Sequence, residues 1–487
     1  MRLIDILVGN RHVSRDSAMQ ALERQHSEGG SATRHMVSEG TLDDRVARDV
    51  MADLPREPET LEELGLRQSL LLELLLKTIY VRKVETALDL AANLCINYSI
   101  VKTLLDEAIE RKLLHIIGMS SAGMSEQLRY AMTPDGRDMV REAYHRNSYV
   151  GPAPIPMKEF AARARRQTIR SNRVTAEELR EAMRGAVLPR GFVKKVGPAV
   201  NLGEAVLVYG PPGNGKTLLA SQIGTVFKDC VLLPYALEID SEIIKFYDPS
   251  IHQDVSISGE IGGGELDERE SYGRLDQRWV ACRRPLVISG GELTLEMLDL
   301  AYNEATGFYD APLHMKAVNG VMLIDDFGRQ LVSAKDLLNR WIMPLEKGVD
   351  YLKLHTGKSF EVPFDELVVF STNLRPIDIM DAAFLRRVPY KIHIEAPTKE
   401  HFLSILDKEA EAAGLTFTEQ QREGIYQAIM AMPYVALAAY QPRFIVNQIL
   451  AQCKFLGIES EVNQDLIDAA LENLTIEDEG EQSPSFQ

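Results

Sequence analysis

Residues 205–227 read AVLVYGPPGNGKTLLASQIGTVF, and the rest of the chain is best read outward from them. The apolar run Ala205 to Tyr209 predicts a buried strand. A loop follows, Gly210-Pro211-Pro212-Gly213-Asn214-Gly215, and Lys216-Thr217-Leu218 then opens a helical run. The spacing is G-x-x-x-x-G-K-[ST], with a strand before it and a helix after it. Gly213 and Gly215 let the backbone curl until successive N–H groups converge, which suits phosphate oxygens. The positive end of the following helix points at the same anion. Lys216 supplies a cation to the β- and γ-phosphates, and the Thr217 hydroxyl completes a Mg²⁺ shell. ATP and Mg²⁺ are the expected cofactors, with Gly210 to Leu218 as the binding segment.

A second apolar run, VMLIDDF (321–327), places Asp325 and Asp326 at a strand end. One carboxylate there can hold Mg²⁺, which assigns Asp325 to the metal. The next, Asp326, can orient or deprotonate an attacking water.

The totals bound what else the chain can be. It has 487 residues, 45% hydrophobic and 26% charged, a globular balance that excludes disordered, collagen-like and disulfide-scaffold proteins. A net charge of −17 repels phosphate backbones and argues against general nucleic-acid coating. Cys95, Cys230, Cys282 and Cys453 lie far apart without CxxC spacing and read as thiols of a reducing compartment. No apolar run approaches the roughly 18 residues of a membrane span. The opening residues do not form a signal peptide. A cytoplasmic protein is expected.

The chain divides by pattern. Residues 1–55 hold a degenerate repeat, Arg2 to Gln25 and Ser31 to Leu54, with Ser14 and Asp43 at helix-cap positions. Residues 61–147 predict three helices, a hairpin and a helix, which is a winged-helix order. Its candidate recognition helix, Ser99 to Leu114, balances Lys102, Arg111 and Lys112 against Asp106, Glu107 and Glu110. A DNA-reading helix carries a basic surplus, so protein docking is favoured over DNA. Residues 148–200 form a linker with two helices, the second opened by a Thr175/Glu178 capping box. Its basic run, Arg163, Arg165, Arg166, Arg170 and Arg173, is expected to contact the acidic core or a neighbouring subunit. Residues 201–396 alternate strands and helices, predicting a parallel sheet from AVLVY, VLLPY (231–235), VMLID, LVVFS (367–371) and YKIHI (390–394). Residues 397–476 are helical, and the acidic tail 477–487 predicts disorder.

The ordered motifs across 200–476 resemble the AAA+ ATPases. Gly210 to Thr217 and VMLIDDF look like their Walker A and Walker B sequences. LVVFSTN looks like the strand ending in sensor 1, with Asn373 beside the γ-phosphate. MDAAFLRRV resembles the arginine-finger segment, so Arg386 or Arg387 is expected to reach a neighbour's nucleotide. YQPRFI resembles sensor 2, with Arg443 in a helical lid. The resemblance implies a P-loop NTPase core with a parallel sheet and a C-terminal helical lid, preceded by a small helical domain and a winged-helix domain. It also implies a homo-oligomeric, hexameric ring. The Asp-Asp pair departs from the usual Asp-Glu and resembles the replication-initiator and helicase-loader branches. DYLKLHTGKSFEVPF (350–364) looks like the pre-sensor-1 hairpin of the branch containing MoxR-type chaperones, magnesium chelatase and replicative helicases.

The long interval from Thr217 to Asp325 holds an acidic, Gly-rich loop (253–271) and Ile244-Lys245-Phe246-Tyr247, placed where substrate-gripping pore loops sit in related rings. A packed aromatic pair is the commoner use of such a sequence. The N-terminal repeat resembles the N-terminal domain of type II secretion and type IV pilus ATPases. Some of those bind cyclic di-GMP through Arg-Leu-Gly openings. Here the openings are Arg2-Leu3-Ile4 and Ser31-Ala32-Thr33, which favours docking of a protein substrate or machine component through residues 1–147. The expected function is an ATPase remodelling a protein partner. A DNA-binding, ATP-switched regulator is the alternative.

Overall fold

The computed structural model describes residues 3–120, 127–189, 191–256, 274–432, 435–458 and 462–474. Most of the acidic Gly-rich loop, the tip of the 115–132 hairpin and the acidic tail lie outside the described residues. Five strands form the central sheet: β1 (Val206–Tyr209), β2 (Leu286–Ser289), β3 (Val321–Ile324), β4 (Leu367–Thr372) and β5 (Tyr390–His393). Their order is β5-β1-β4-β3-β2, and every neighbouring pair is parallel. The strands read as continuous apolar runs because both faces are covered. Val206, Val208, Leu323 and Val369 pack on Leu219 and Ile223 of α1 (Lys216–Gly224) and on Phe192 and Val196. The alternate residues Leu207, Met322, Val368 and Phe370 pack on Leu337, Trp341 and Phe384. From β1 the chain crosses to the far edge, returns through β3 and β4, and passes to the other side of β1 as β5. That reversal opens a crevice at the carboxyl end of β1.

Beyond the sheet, α2 (Lys399–Ala412), Glu419–Ala431, α3 (Gln441–Leu456) and Gln464–Glu472 enclose a separate core of Phe402, Leu406, Ile425, Ile445 and Ile467. The chain therefore has a P-loop NTPase core, α/β with a parallel sheet, followed by a helical C-terminal region.

One strand expectation is corrected, and of the two readings of Ile244 to Tyr247 the packed one holds. VLLPY does not join the central sheet. Cys230–Pro234 pairs antiparallel with Trp279–Arg283, and the edge strand is instead β2, the short run after Pro285. An apolar run reports burial, and burial beside the N-terminal helices gives the same pattern as burial in the central sheet. Ile244 to Tyr247 is not a free loop. Glu242–Lys245 is a strand of a second sheet with Ala236–Ile239, Phe308–Asp310, Ala301–Asn303 and Ile155–Pro156. Phe246 is buried, 5.6 Å from His252 with the rings 9° apart, and against Phe160. The linker carries three helices rather than two, Met157–Arg166, Ala176–Ala182 and Phe192–Leu202. The Thr175/Glu178 capping box is present.

Hydrophobic cores cross the sequence boundaries. Helices Leu3–Gly9, Arg15–Glu28, Ala32–Ser38 and Asp44–Asp53 carry the expected Ser14 and Asp43 caps. Their apolar faces share one core with Val231, Leu233, Trp279, Leu352 and Phe360. The Cys230 N–H donates to Asn10 Oδ1 at 2.9 Å. Residues 61–147 run as helices Gln68–Arg82, Ala87–Leu94 and Tyr98–Glu110, a hairpin Leu114–Ser120/Gln127–Met132, and helix Pro134–Arg146. Their core takes in Ala236 and Ile243 of the second sheet. Part of the basic run is engaged internally: Arg163 donates to Asp53 (3.2 Å), and Arg165 lies 3.6 Å from Glu361 of the 349–363 hairpin.

Candidate nucleotide site

The loop between β1 and α1 has the backbone its glycines predict. Gly213 and Gly215 sit at φ +75 and +73, in the left-handed region. Asn214 is buried, and its Nδ2 donates to Pro211 O at 3.3 Å. Lys216 is only 6% exposed, and its Nζ donates to Pro211 O at 2.7 Å. Burial lowers its pKa, against the opposing pull of Asp326 and Asp325. Burial of the ammonium beside the loop strengthens its attraction for an anion.

Two further strands bring their ends to the same place. The Thr217 hydroxyl lies 3.0 and 2.9 Å from the Asp325 carboxylate oxygens, across a wide gap in sequence. Asp326 follows with φ +47, a conformation that aspartate tolerates better than most residues. Asn373, just past β4, donates from Nδ2 to Asp326 Oδ1 at 3.1 Å. The β3 and β4 ends are locked together by Phe327 N–H to Ser371 O (2.7 Å) and by Thr372 Oγ1 to Phe327 O (2.7 Å). Gln330 clamps the turn, donating to Asp325 O at 2.9 Å and accepting from Gly328 N–H at 2.7 Å. Thr217, Asp325, Asp326, Asn373 and Lys216 are thus gathered at one end of the sheet.

A hydroxyl beside one carboxylate suits Mg²⁺, which keeps most of its waters and takes few protein ligands. Among the described residues, no group of three or more His, Cys, Asp or Glu is placed to cage a metal. The donor set therefore fits Mg²⁺ held by Thr217 and Asp325.

A cavity of about 260 Å³ adjoins the loop. Gly213, Asn214, Gly215, Leu218 and Arg443 line it together with Ala186, Val187, Pro189, Ile394 and Ile405. Arg443 is on the third residue of α3, largely exposed, with Nε 3.9 Å from Glu409. The start of α3 is tied to the loop: Tyr440 N–H donates to Gly213 O at 2.9 Å and Ala439 N–H to Asn214 Oδ1 at 3.0 Å.

Arg386 and Arg387 are not in this gathering. They precede β5, whereas the loop leaves the opposite end of its parallel neighbour β1, about 13 Å of strand away. Arg387 donates to Glu346 Oε1 at 2.7 Å, while Arg386 is exposed with no partner among the described residues. Both line an open cleft of about 670 Å³ with Leu202, Glu204 and Tyr390.

Sequence reasoning missed Gln330, Tyr440, the 185–189 segment and His401. Of these only Gln330 had a local signal, its place in the turn after paired aspartates.

Comparison with known proteins adds a regional match. Residues 398–473 match a family model described as a domain of unknown function, DUF8689. A stretch of 45 residues is 49% identical to the vesicular-fusion protein sec18 of Schizosaccharomyces pombe, covering 9% of this chain and 5% of that protein. A stretch of the same length is 51% identical to a vesicle-fusing ATPase of Dictyostelium discoideum, covering 9% and 6%. The chain thus spans only a small part of these relatives. Among solved structures, NtrX from Brucella abortus in complex with ADP aligns over 70% of this chain and 60% of that one, at 13% identity and TM-score 0.35. Such a score leaves the fold resting on strand order and loop geometry.

Proposed function

We propose that this protein is a Mg²⁺-dependent ATPase of the AAA+ type that assembles as a ring, six subunits being expected, and remodels or assembles a protein partner. The observation that carries this reading is the convergence of Lys216, Thr217, Asp325, Asp326 and Asn373 at the carboxyl ends of three adjacent strands, beside a cavity. The loop N–H groups and Lys216 bind the β- and γ-phosphates. Thr217 and Asp325 hold Mg²⁺, which when bound neutralises phosphate charge. Asp326 orients the attacking water and takes its proton. Asn373 occupies one Asp326 oxygen and so fixes the direction of the other. Arg443 faces the phosphates from the lid. The short stretch shared with a protein named a vesicle-fusing ATPase supports ATP as the nucleotide.

The two arginines before β5 lie away from the cavity of their own chain, which supports the reading that one of them acts on a second copy and that turnover requires assembly. The partner docks on residues 1–147. On the 114–132 hairpin Ile116, Ile117, Met119 and Leu128 are exposed, a surface that suits protein rather than a phosphate backbone. Leu3 and Ile4 are buried in the core, which leaves little of the Arg-Leu opening for a cyclic dinucleotide.

Phosphate release measured against protein concentration tests the reading. Turnover per chain is expected to rise with concentration and to be lost in Lys216→Ala and Asp326→Asn. Arg386→Ala or Arg387→Ala should lower it by about 10³-fold or more while ATP binding persists. Assembled protein that binds ATP well and never turns it over would end the proposal.

A further inference from the structure

Two parts of the cavity wall are held differently. The loop side is built by the segment between β1 and α1 and by the start of α3. The other part is a strap, residues 185–189, that follows helix Ala176–Ala182 and belongs to no strand or helix. Its position is set largely by side chains of α2, far away in sequence. His401 Nε2 donates to Val187 O at 3.1 Å, and Lys408 Nζ donates to Arg184 O at 2.5 Å. A carbonyl only accepts, so the His401 proton sits on Nε2. Positions 401, 405 and 408 share one face of a helix, and Ile405 between the two donors lies on the cavity wall. Ala186 O and Val187 N–H have no partner among the described residues. The two belong to one trans peptide unit and point opposite ways, so one of them at a time can meet a heterocycle in the slot.

We propose that His401 and Lys408 are positioning residues for the nucleoside. They hold the strap at the spacing that seats a heterocycle between Val187 and Ile405, while the phosphates are bound independently at the loop. This rests on the nucleotide reading above. It adds that affinity for the base and affinity for the phosphate chain are separable, and that the lid carries the base-side wall.

The test is calorimetric titration of the full chain with ADP and, separately, with inorganic tripolyphosphate. His401→Ala is expected to weaken ADP binding about two- to tenfold, the range for one hydrogen bond. The His401→Ala/Lys408→Met double variant should weaken it further. Tripolyphosphate affinity should change less than about twofold in both, which also shows that the variants remain folded. His401→Gln, whose amide can donate to the same carbonyl, should recover most of the ADP affinity. The inference is overturned if the double variant binds ADP like the parent, or if ADP and tripolyphosphate weaken together. A parent chain that binds neither ligand removes the nucleotide reading and this inference together. A parent that binds both, with variants unaffected, removes the inference alone.

Discussion

Replacing Gly213 by alanine, with Gly215→Ala as its control, separates backbone strain in the loop from its contact with the lid. Both glycines hold nearly the same left-handed backbone, φ +75 and +73, so each substitution costs about 1–2 kcal/mol of conformational strain. Their surroundings differ. A Cβ on Gly215 meets nothing within 4 Å, whereas one on Gly213 would stand 2.5 Å from Tyr440 Cδ1 and 3.1 Å from its Cε1. To make room the start of α3 must withdraw by roughly an ångström, the difference from ordinary carbon contact. That stretches Tyr440 N–H to Gly213 O and Ala439 N–H to Asn214 Oδ1, each contributing about 1 kcal/mol. Gly213→Ala should therefore cost about 2–4 kcal/mol, against about 1–2 for Gly215→Ala, in urea denaturation followed by circular dichroism. Adding Tyr440→Ala keeps both backbone donors and removes the obstructing ring. It should return about 1 kcal/mol or more to Gly213→Ala. Equal losses at the two glycines, or additivity of the 213/440 pair within about 0.5 kcal/mol, would refute the lid contact.

Two further outcomes follow from burial. Glu366, just before β4, is buried with no hydrogen-bond partner for either carboxylate oxygen among the described residues, and burial drives its pKa well above the usual carboxylate range. A raised folded pKa means stability that is full below the unfolded pKa and lost as pH rises. Glu366→Met should therefore stabilise by about 1–3 kcal/mol at pH 8 and clearly less at pH 5, read by urea midpoints. An equal gain at both values would refute the assignment. Deleting residues 1–55 uncovers Val231, Leu233, Trp279 and Leu352. The truncated chain should bind a hydrophobic dye and aggregate. A monodisperse product with an unchanged thermal midpoint would contradict the shared core.

What could be seen in the sequence was what short range determines. The loop from Gly210 to Thr217 has its glycines where the backbone turns left-handed, and the caps at Ser14, Asp43 and Thr175 each bond an N–H two or three residues on. The hairpin around Gly357 was equally visible. Thr217 and Asp325 could be paired only because each belongs to a recognisable motif. The edge strand β2 was hidden because three apolar residues after Arg284-Pro285 are a weaker signal than Cys230–Pro234, and neither run states which sheet it joins. Phe246 showed an aromatic without showing what covers it. His401 and Tyr440 meet segments more than 200 residues away, and a single chain carries no local mark of such meetings.

Because the first four helices complete their core with residues near 231, 279 and 352, their birth order matters. They leave the ribosome about 300 residues before Leu352, which at ordinary elongation speeds is roughly 15–60 s. Throughout that interval the core around Ile4, Leu7, Ala18 and Met36 is closed only by the four helices themselves and lacks its later half. The nascent protein must be shielded while it waits. In a test tube the same delay makes renaturation slow, strongly dependent on dilution, and prone to clumping through its front end.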